Sequence, residues 1–100
     1  MLHTVNKSPF EKNSLASCLR LAKTGSVILL TEDAVYAAIS GSEFSLKLED
    51  VSTKFSIYVL EPDLKARGLG NKPLATGIQK TDYDGFVDLV CEQPVTQTWF

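Results

Sequence analysis

The chain is poor in the residues that build metal and redox sites. Its 100 residues include one histidine, His3, and two cysteines, Cys18 and Cys91, whose spacing is far from a CxxC motif. A histidine-rich metal site is therefore excluded, and a structural disulfide is not expected in a reducing compartment. We predict no metal and no cofactor.

The chain also lacks an excess of charge of either sign and any long apolar run. Ten basic and twelve acidic residues give a net charge of -2, which offers no footprint for a polyanion, so direct binding of nucleic acid is not expected. No apolar run approaches the roughly 20 residues that span a bilayer, and no basic segment followed by an apolar stretch opens the chain. We predict a cytoplasmic protein without a membrane partner. The length predicts one domain, residues 1–100, small enough to gain stability from a partner.

Short apolar runs alternate with amphipathic segments along the chain. The runs predict strands at 2–5, 27–30, 55–60 and, most weakly, 75–80, and the amphipathic segments predict helices at 13–23, 33–39, 62–67 and 83–92. On the last helix one face would be shared by Tyr83, Phe86, Leu89 and Val90. Apolar runs of this kind suit parallel strands that are buried on both faces. The pattern predicts a small three-layer α/β fold with a mostly parallel sheet of four to five strands.

The two cysteines have different surroundings in the sequence. Cys18 lies in the first half of its predicted helix near Lys12, Arg20 and Lys23, which predicts a modest activation of the thiol. Cys91 lies near the end of its helix among acidic residues, which oppose ionisation and predict a sluggish thiol. For each cysteine the alternative is a small buried apolar side chain.

Three other features have structural interpretations. His3 lies within the first strand and is interpreted as a hydrogen-bonded structural histidine. The pair Glu32-Asp33 follows the second strand, where open α/β sheets place ligands, but a helix cap at Asp33 explains it more simply than a metal or phosphate pocket does. The Gly-Leu-Gly segment at 68–70 is rejected as a phosphate loop because it follows a helix and lacks a third glycine.

Two surface features leave their alternatives open. Lys65, Arg67 and Lys72 form a small basic cluster that is either solvated surface or a docking patch. The chain ends in Trp99 and Phe100, two large aromatic residues that either close the core or form part of an interface.

Several segments, taken in order, resemble the DsrH/TusB family of bacterial sulfur-relay subunits. They are the opening Met1-Leu2-His3-Thr4 with Ser8-Pro9, the strand and acidic pair at 27–33, the segment 63–69, the helix from Asp82-Tyr83 to Leu89, and Trp99. The resemblance covers nearly the whole chain. It implies a flavodoxin-like subunit that assembles with DsrE/TusD-like and DsrF/TusC-like chains into a two-fold heterohexamer.

The resemblance also implies a function. Family members pass persulfide sulfur between protein cysteines, in dissimilatory sulfur oxidation for the DsrH branch and in 2-thiolation of the tRNA wobble uridine for the TusB branch. Cys18 on the first helix resembles the DsrH branch, which is therefore favoured here; a TusB-type subunit and a non-catalytic scaffold are the alternatives. The principal acceptor cysteine would lie on the DsrE/TusD-like partner, and the downstream acceptor would be of DsrC/TusE type.

In the favoured interpretation Cys18 is a candidate persulfide carrier, whose thiolate attacks the outer sulfur of a donor persulfide. A generic small-ligand binder of flavodoxin-like shape is a third interpretation, because a fold does not determine a function.

Overall fold

The computed structural model describes residues 1–10, 12–93 and 95–100, and within them strands and helices alternate. The strands are β1 Leu2–Val5, β2 Val27–Leu30, β3 Ser56–Leu60, β4 Ile78–Thr81 and β5 Thr96–Trp99. The α-helices are α1 Ser14–Leu21, α2 Glu43–Val51, α3 Glu61–Ala66 and α4 Tyr83–Glu92, and a 3₁₀ helix spans Glu32–Ala38. All neighbouring strands pair in parallel, in the order β4-β3-β2-β1-β5. The predicted α/β class with a parallel sheet is confirmed.

The sheet separates two cores of unequal size, because successive residues of a strand point to opposite faces. The larger core includes Val5, Ile28 and Val59 of the sheet and residues from α1, α2, α3 and the 3₁₀ helix. On the other face Leu2, Val27 and Leu29 pack against Leu89 and Phe86, both from α4. In the described part of the chain α4 is therefore the helix that covers the second face, which completes the three layers.

Two elements lie outside the sequence-based prediction. The α2 helix is capped by Ser42, whose hydroxyl accepts a hydrogen bond from the backbone N–H of Ser45 at 3.1 Å. This is the local capping signal that Ser, Thr, Asp and Asn provide. The β5 strand consists of Thr-Gln-Thr-Trp and has no apolar alternation, so its pairing with β1 comes from tertiary contact.

The fourth strand starts later than predicted, at Ile78, because residues 75–77 form a turn. The backbone N–H of Ile78 donates to the carbonyl of Ala75, and Gly77 adopts a φ of 90°, which suits glycine. The last helix spans the predicted residues. Its first turn is capped by Asp82, whose Oδ1 accepts from the N–H of Gly85 at 2.8 Å.

No helix within the described ranges is long and apolar enough to cross a membrane.

Candidate functional site

Cys18 lies on the buried side of α1, inside the larger core, and its side chain is fully shielded from solvent. Burial raises the pKa of the Cys18 thiol to about 12. The expected activation by Lys12, Arg20 and Lys23 is wrong, because all three side chains are exposed while the sulfur is desolvated. At neutral pH the group is a thiol rather than a nucleophilic thiolate.

The role of Cys18 as a persulfide carrier stays a prediction. Its sulfur lines neither of the two clefts described below, so a donor persulfide reaches it only after the packing around α1 opens. In the conformation of the isolated chain, Cys18 fills core volume as a small apolar residue does.

Cys91 is exposed near the end of α4, so the interpretation of this residue as a buried apolar side chain is wrong. Both thiols are free. Among the residues that the structure describes, no group of three His, Cys, Asp or Glu side chains could hold a metal ion.

His3 joins β1 to the end of the chain. Its Nδ1 accepts a hydrogen bond from Nε1 of Trp99 at 3.0 Å, and the two rings lie 6.1 Å apart. Burial, and then the positive charge of the amino terminus, lower the pKa of the His3 ring from 6.5, so the ring is neutral at pH 7. The structural role predicted for His3 is confirmed. The two aromatic residues at the end of the chain differ in burial: Trp99 packs against the larger core, whereas Phe100 is exposed.

The acidic pair Glu32-Asp33, which follows β2, forms hydrogen bonds with residues of α3 and of its C-terminal end. The backbone N–H of Glu32, which adopts an unusual φ of 49°, donates to Oδ2 of Asp63 at 2.6 Å. Oδ1 of Asp33 accepts from Nε of Arg67 at 2.9 Å. The helix-cap interpretation of Asp33 is therefore wrong: Thr31 occupies the cap position, and Asp33 forms an ion pair instead.

Two of the three basic side chains in the cluster, those of Lys65 and Arg67, form ion pairs. Besides the pair between Arg67 and Asp33, Nζ of Lys65 lies 3.6 Å from a carboxylate oxygen of Glu61. Exposed pairs of this kind contribute little stability, but they neutralise each other's field. Solvated surface is the interpretation that this geometry favours.

A cleft of about 300 Å³ opens at the carboxyl ends of the strands, where parallel sheets usually bind ligands. Its walls are formed by Thr4, Asn6, Thr31, Glu32, Leu60, Asp63, Tyr83, Phe86 and Thr98. Oδ1 of Asn6 is buried and has no hydrogen-bond partner among the described residues. The lining contains hydroxyl, amide and carboxylate groups but no thiol, so sulfur transfer here would need a cysteine from another chain.

A second cleft, of about 530 Å³, lies between the C-terminal end of α1, the loop into β2, and strands β1 and β5. It is lined by Met1, His3, Leu21, Ala22, Lys23, Thr24, Gly25, Ser26, Gln97 and Trp99. We refer to it as the α1–β5 cleft. It lies on the α1 side of the sheet, since His3 and its neighbour in register, Gln97, point to that face.

The outward side of α4 carries exposed apolar residues, and two of them, Tyr83 and Val90, were expected to share a face with Phe86 and Leu89. Tyr83, Val87 and Val90 recur at helical spacing and are all exposed, whereas Leu89 is buried. We call these three residues the α4 outer row. The sequence signal that could have found it is Val87, which matches the i, i+4, i+7 spacing of the row and not the buried stripe.

The fold matches two solved structures over almost their whole lengths. The crystal structure of the ychN protein from E. coli aligns with a TM-score of 0.85 at 20% identity and covers 97% of each chain. The protein of unknown function MTH1491 from Methanobacterium thermoautotrophicum aligns with a TM-score of 0.74 at 15% identity, covering 97% of this chain and 95% of the other. At these identities the match concerns the fold, and it confirms the predicted DsrEFH-like architecture.

Comparison with related sequences shows the family to which the chain belongs. The family model described as DsrH like protein matches residues 7–95. Protein TusB of Escherichia coli strain K12 is 36% identical over 99 residues, and Protein TusB of Pectobacterium parmentieri is 33% identical over 99; each match covers 99% of this chain and all of the relative. These names favour the TusB branch over the DsrH branch that Cys18 suggested. The chain therefore belongs to the DsrH/TusB family of sulfur-relay proteins.

Proposed function

We propose that this chain is a cytoplasmic TusB-type subunit of a sulfur-relay assembly that serves 2-thiolation of the tRNA wobble uridine. The observation that carries the proposal is the full-length match to relatives named TusB. Its partners are a DsrE/TusD-like chain, which holds the sulfur-accepting cysteine, and a DsrF/TusC-like chain, in a two-fold heterohexamer. A DsrC/TusE-type protein takes the sulfur onward.

Within this assembly the chain acts chiefly as a scaffold, because its own accessible groups do not form a sulfur-transfer site. Cys18 is buried with a pKa of about 12, and a thiolate is the form that attacks a persulfide. The exposed thiol of Cys91 lies near the end of α4, where its neighbours in sequence are Asp88 and Glu92, whose negative charge disfavours a thiolate. A partner cysteine is the simpler source of the nucleophile.

The α4 outer row supports a contact with a different chain. Contiguous exposed apolar side chains are typical of interaction surfaces. The helix also carries an acidic row, Asp84, Asp88 and Glu92, and residues 82–93 contain no Lys or Arg. Two copies of this face would bring like charges together, whereas a chain with basic residues around an apolar centre would be complementary.

A carrier role for Cys18, and with it the DsrH branch, is the second candidate, favoured by the position of this cysteine on the first helix. In the required step the Cys18 thiolate attacks the outer sulfur of a donor persulfide. The new S–S bond forms as the old one breaks, the donor leaves as a thiolate, and a persulfide remains on Cys18 with no net oxidation. The step needs α1 to move when a partner binds, so that the thiol meets solvent and a base.

Intact-protein mass spectrometry of the co-purified complex, after exposure to a persulfide donor, distinguishes the two roles. The scaffold role predicts sulfur on the partner chain alone, with the same loading in wild type and in the Cys18→Ser and Cys91→Ser variants. A one-sulfur increment on this chain that disappears only in Cys18→Ser would make it a carrier.

Restored 2-thiouridine in the tRNA of a strain lacking its own TusB would support the TusB branch; unchanged tRNA with an assembled complex would contradict it.

A substitution on the α4 outer row tests the contact with partners. Val87→Asp places a charge on a side chain that is 59% exposed, so the fold should tolerate it while assembly with the partner chains is lost. Leu46→Asp on α2 is the matched control, since Leu46 is 63% exposed on another surface. Co-purification of the partners with both variants would contradict a role for the row.

A further inference from the structure

We infer that the α1–β5 cleft binds a small carboxylate with a flat apolar body. The cleft is independent of the proposed relay function, because it contains no thiol and lies on the opposite face of the sheet from α4. Its volume of about 530 Å³ falls within the range of roughly 300 to 1,000 Å³ that is typical of small-molecule sites.

The floor of the cleft is polar and preorganised. His3 and Ser26 line it, each with only 4% of its surface exposed, and the His3 ring is held in place by a side-chain hydrogen bond. Nδ1 of His3 accepts the N–H of Trp99, and this bond holds the orientation of the ring. A neutral ring that accepts at Nδ1 carries its proton on Nε2, so His3 is a hydrogen-bond donor with a fixed direction. Ser26 adds a hydroxyl that can donate or accept.

The charge of the lining selects an anion. Lys23 is the one charged side chain among the lining residues, Met1 adds the positive amino terminus that also acts on His3, and the lining includes no carboxylate. The C-terminal end of α1 contributes about half a negative charge, which offsets Lys23 only in part. Two separate cations with neutral donors, and without the bidentate fork of an Arg, suit a carboxylate.

The walls supply the apolar part of the site. Trp99 is partly buried along one side, and Leu21 at the end of α1 is exposed although it is a large apolar residue. An aromatic ring can stack on the indole with its edge against Leu21, a favourable arrangement for aromatic pairs. The indole N–H is already bonded to His3, so the ring offers the ligand a face rather than a donor.

Trp99 is the only tryptophan, so its fluorescence in the full chain reports on the cleft. We expect sodium benzoate to change this fluorescence saturably, with a Kd of about 1 mM, the order expected for a ligand of so few atoms. Benzylamine, which carries the opposite charge, should bind at least about tenfold more weakly. Equal affinity for the two probes, or no saturation by benzoate at roughly 50 mM, would overturn the inference.

Two variants locate the binding. Lys23→Gln should raise the Kd for benzoate and leave the Kd for neutral benzamide unchanged, while Lys12→Gln, at an exposed lysine outside the cleft, should leave both unchanged. Amide chemical shifts in a benzoate titration should move at Gln97 and Thr24 and stay constant at Val87 on α4. Equal losses in both variants, or shifts centred on α4, would refute the site.

Discussion

The protection of Cys18 yields a sharp kinetic prediction. A Cys91→Ser variant retains Cys18 as its only thiol, because the chain has two cysteines. Its alkylation by iodoacetamide is then compared between the native protein and the same protein unfolded in guanidinium chloride. Since the sulfur is fully buried in the folded chain, the native rate should be far lower than the unfolded rate.

The magnitude follows from ionisation. Burial raises the pKa of Cys18 from 9.0 to about 12, which lowers the thiolate fraction near neutral pH by about a thousandfold. A more basic thiolate is also a better nucleophile, with a Brønsted coefficient of about 0.4 to 0.5, and this recovers roughly 15- to 30-fold. The net effect of ionisation is a rate about 30- to 60-fold lower, and steric exclusion of the reagent lowers it further.

Quenched samples analysed by intact mass provide both rates across a series of pH values. The native rate should rise about tenfold for each pH unit from 7 to 9.5, whereas the unfolded rate should level off near pH 9, the ordinary pKa of the thiol. A native rate within about threefold of the unfolded rate, levelling off near pH 9, would refute the reasoning.

The same assay bears on the carrier role. If Cys18 accepts sulfur within the assembly, adding the partner chains should raise its alkylation rate towards that of the unfolded chain. If the chain is a scaffold, the partners should leave the rate unchanged or lower it.

Three further predictions concern stability in urea. Because burial lowers the pKa of His3 in the folded chain below 6.5, the folded chain binds this proton less readily than the unfolded chain does. The contribution of His3 to the free energy of unfolding should therefore be complete above pH 6.5 and decrease as the pH falls towards the pKa of the folded chain. His3→Gln should flatten this pH dependence of the free energy of unfolding. Asp82→Ala removes the carboxylate that caps α4 and should cost about 1 kcal/mol in the free energy of unfolding; no measurable change would contradict the cap. Gly77→Ala places a Cβ 2.8 Å from the Ser52 side chain. It should therefore lower the free energy of unfolding more than Gly25→Ala does, since at Gly25 φ is also positive but no atom lies within 4 Å of the added Cβ. Equal losses in the two variants would show that the Ser52 side chain moves away at no cost in stability.

Much of the fold is determined by local patterns in the sequence. The strands at 2–5 and 27–30 and the helix at 83–92 are observed as predicted, because an unbroken apolar run or a capped amphipathic repeat favours one conformation on its own. Family membership also follows from the sequence, since the order and spacing of segments survive along the whole chain.

Tertiary structure decided the properties that depend on distant partners. The β5 strand exists because β1 offers it a pairing edge, and the bond between His3 and Trp99 joins residues 96 positions apart. The pKa of Cys18 differs from the sequence-based expectation because it also depends on residues that are distant in sequence. Its neighbours in sequence are basic, but its neighbours in space are apolar, and desolvation of a thiolate outweighs charges that water screens.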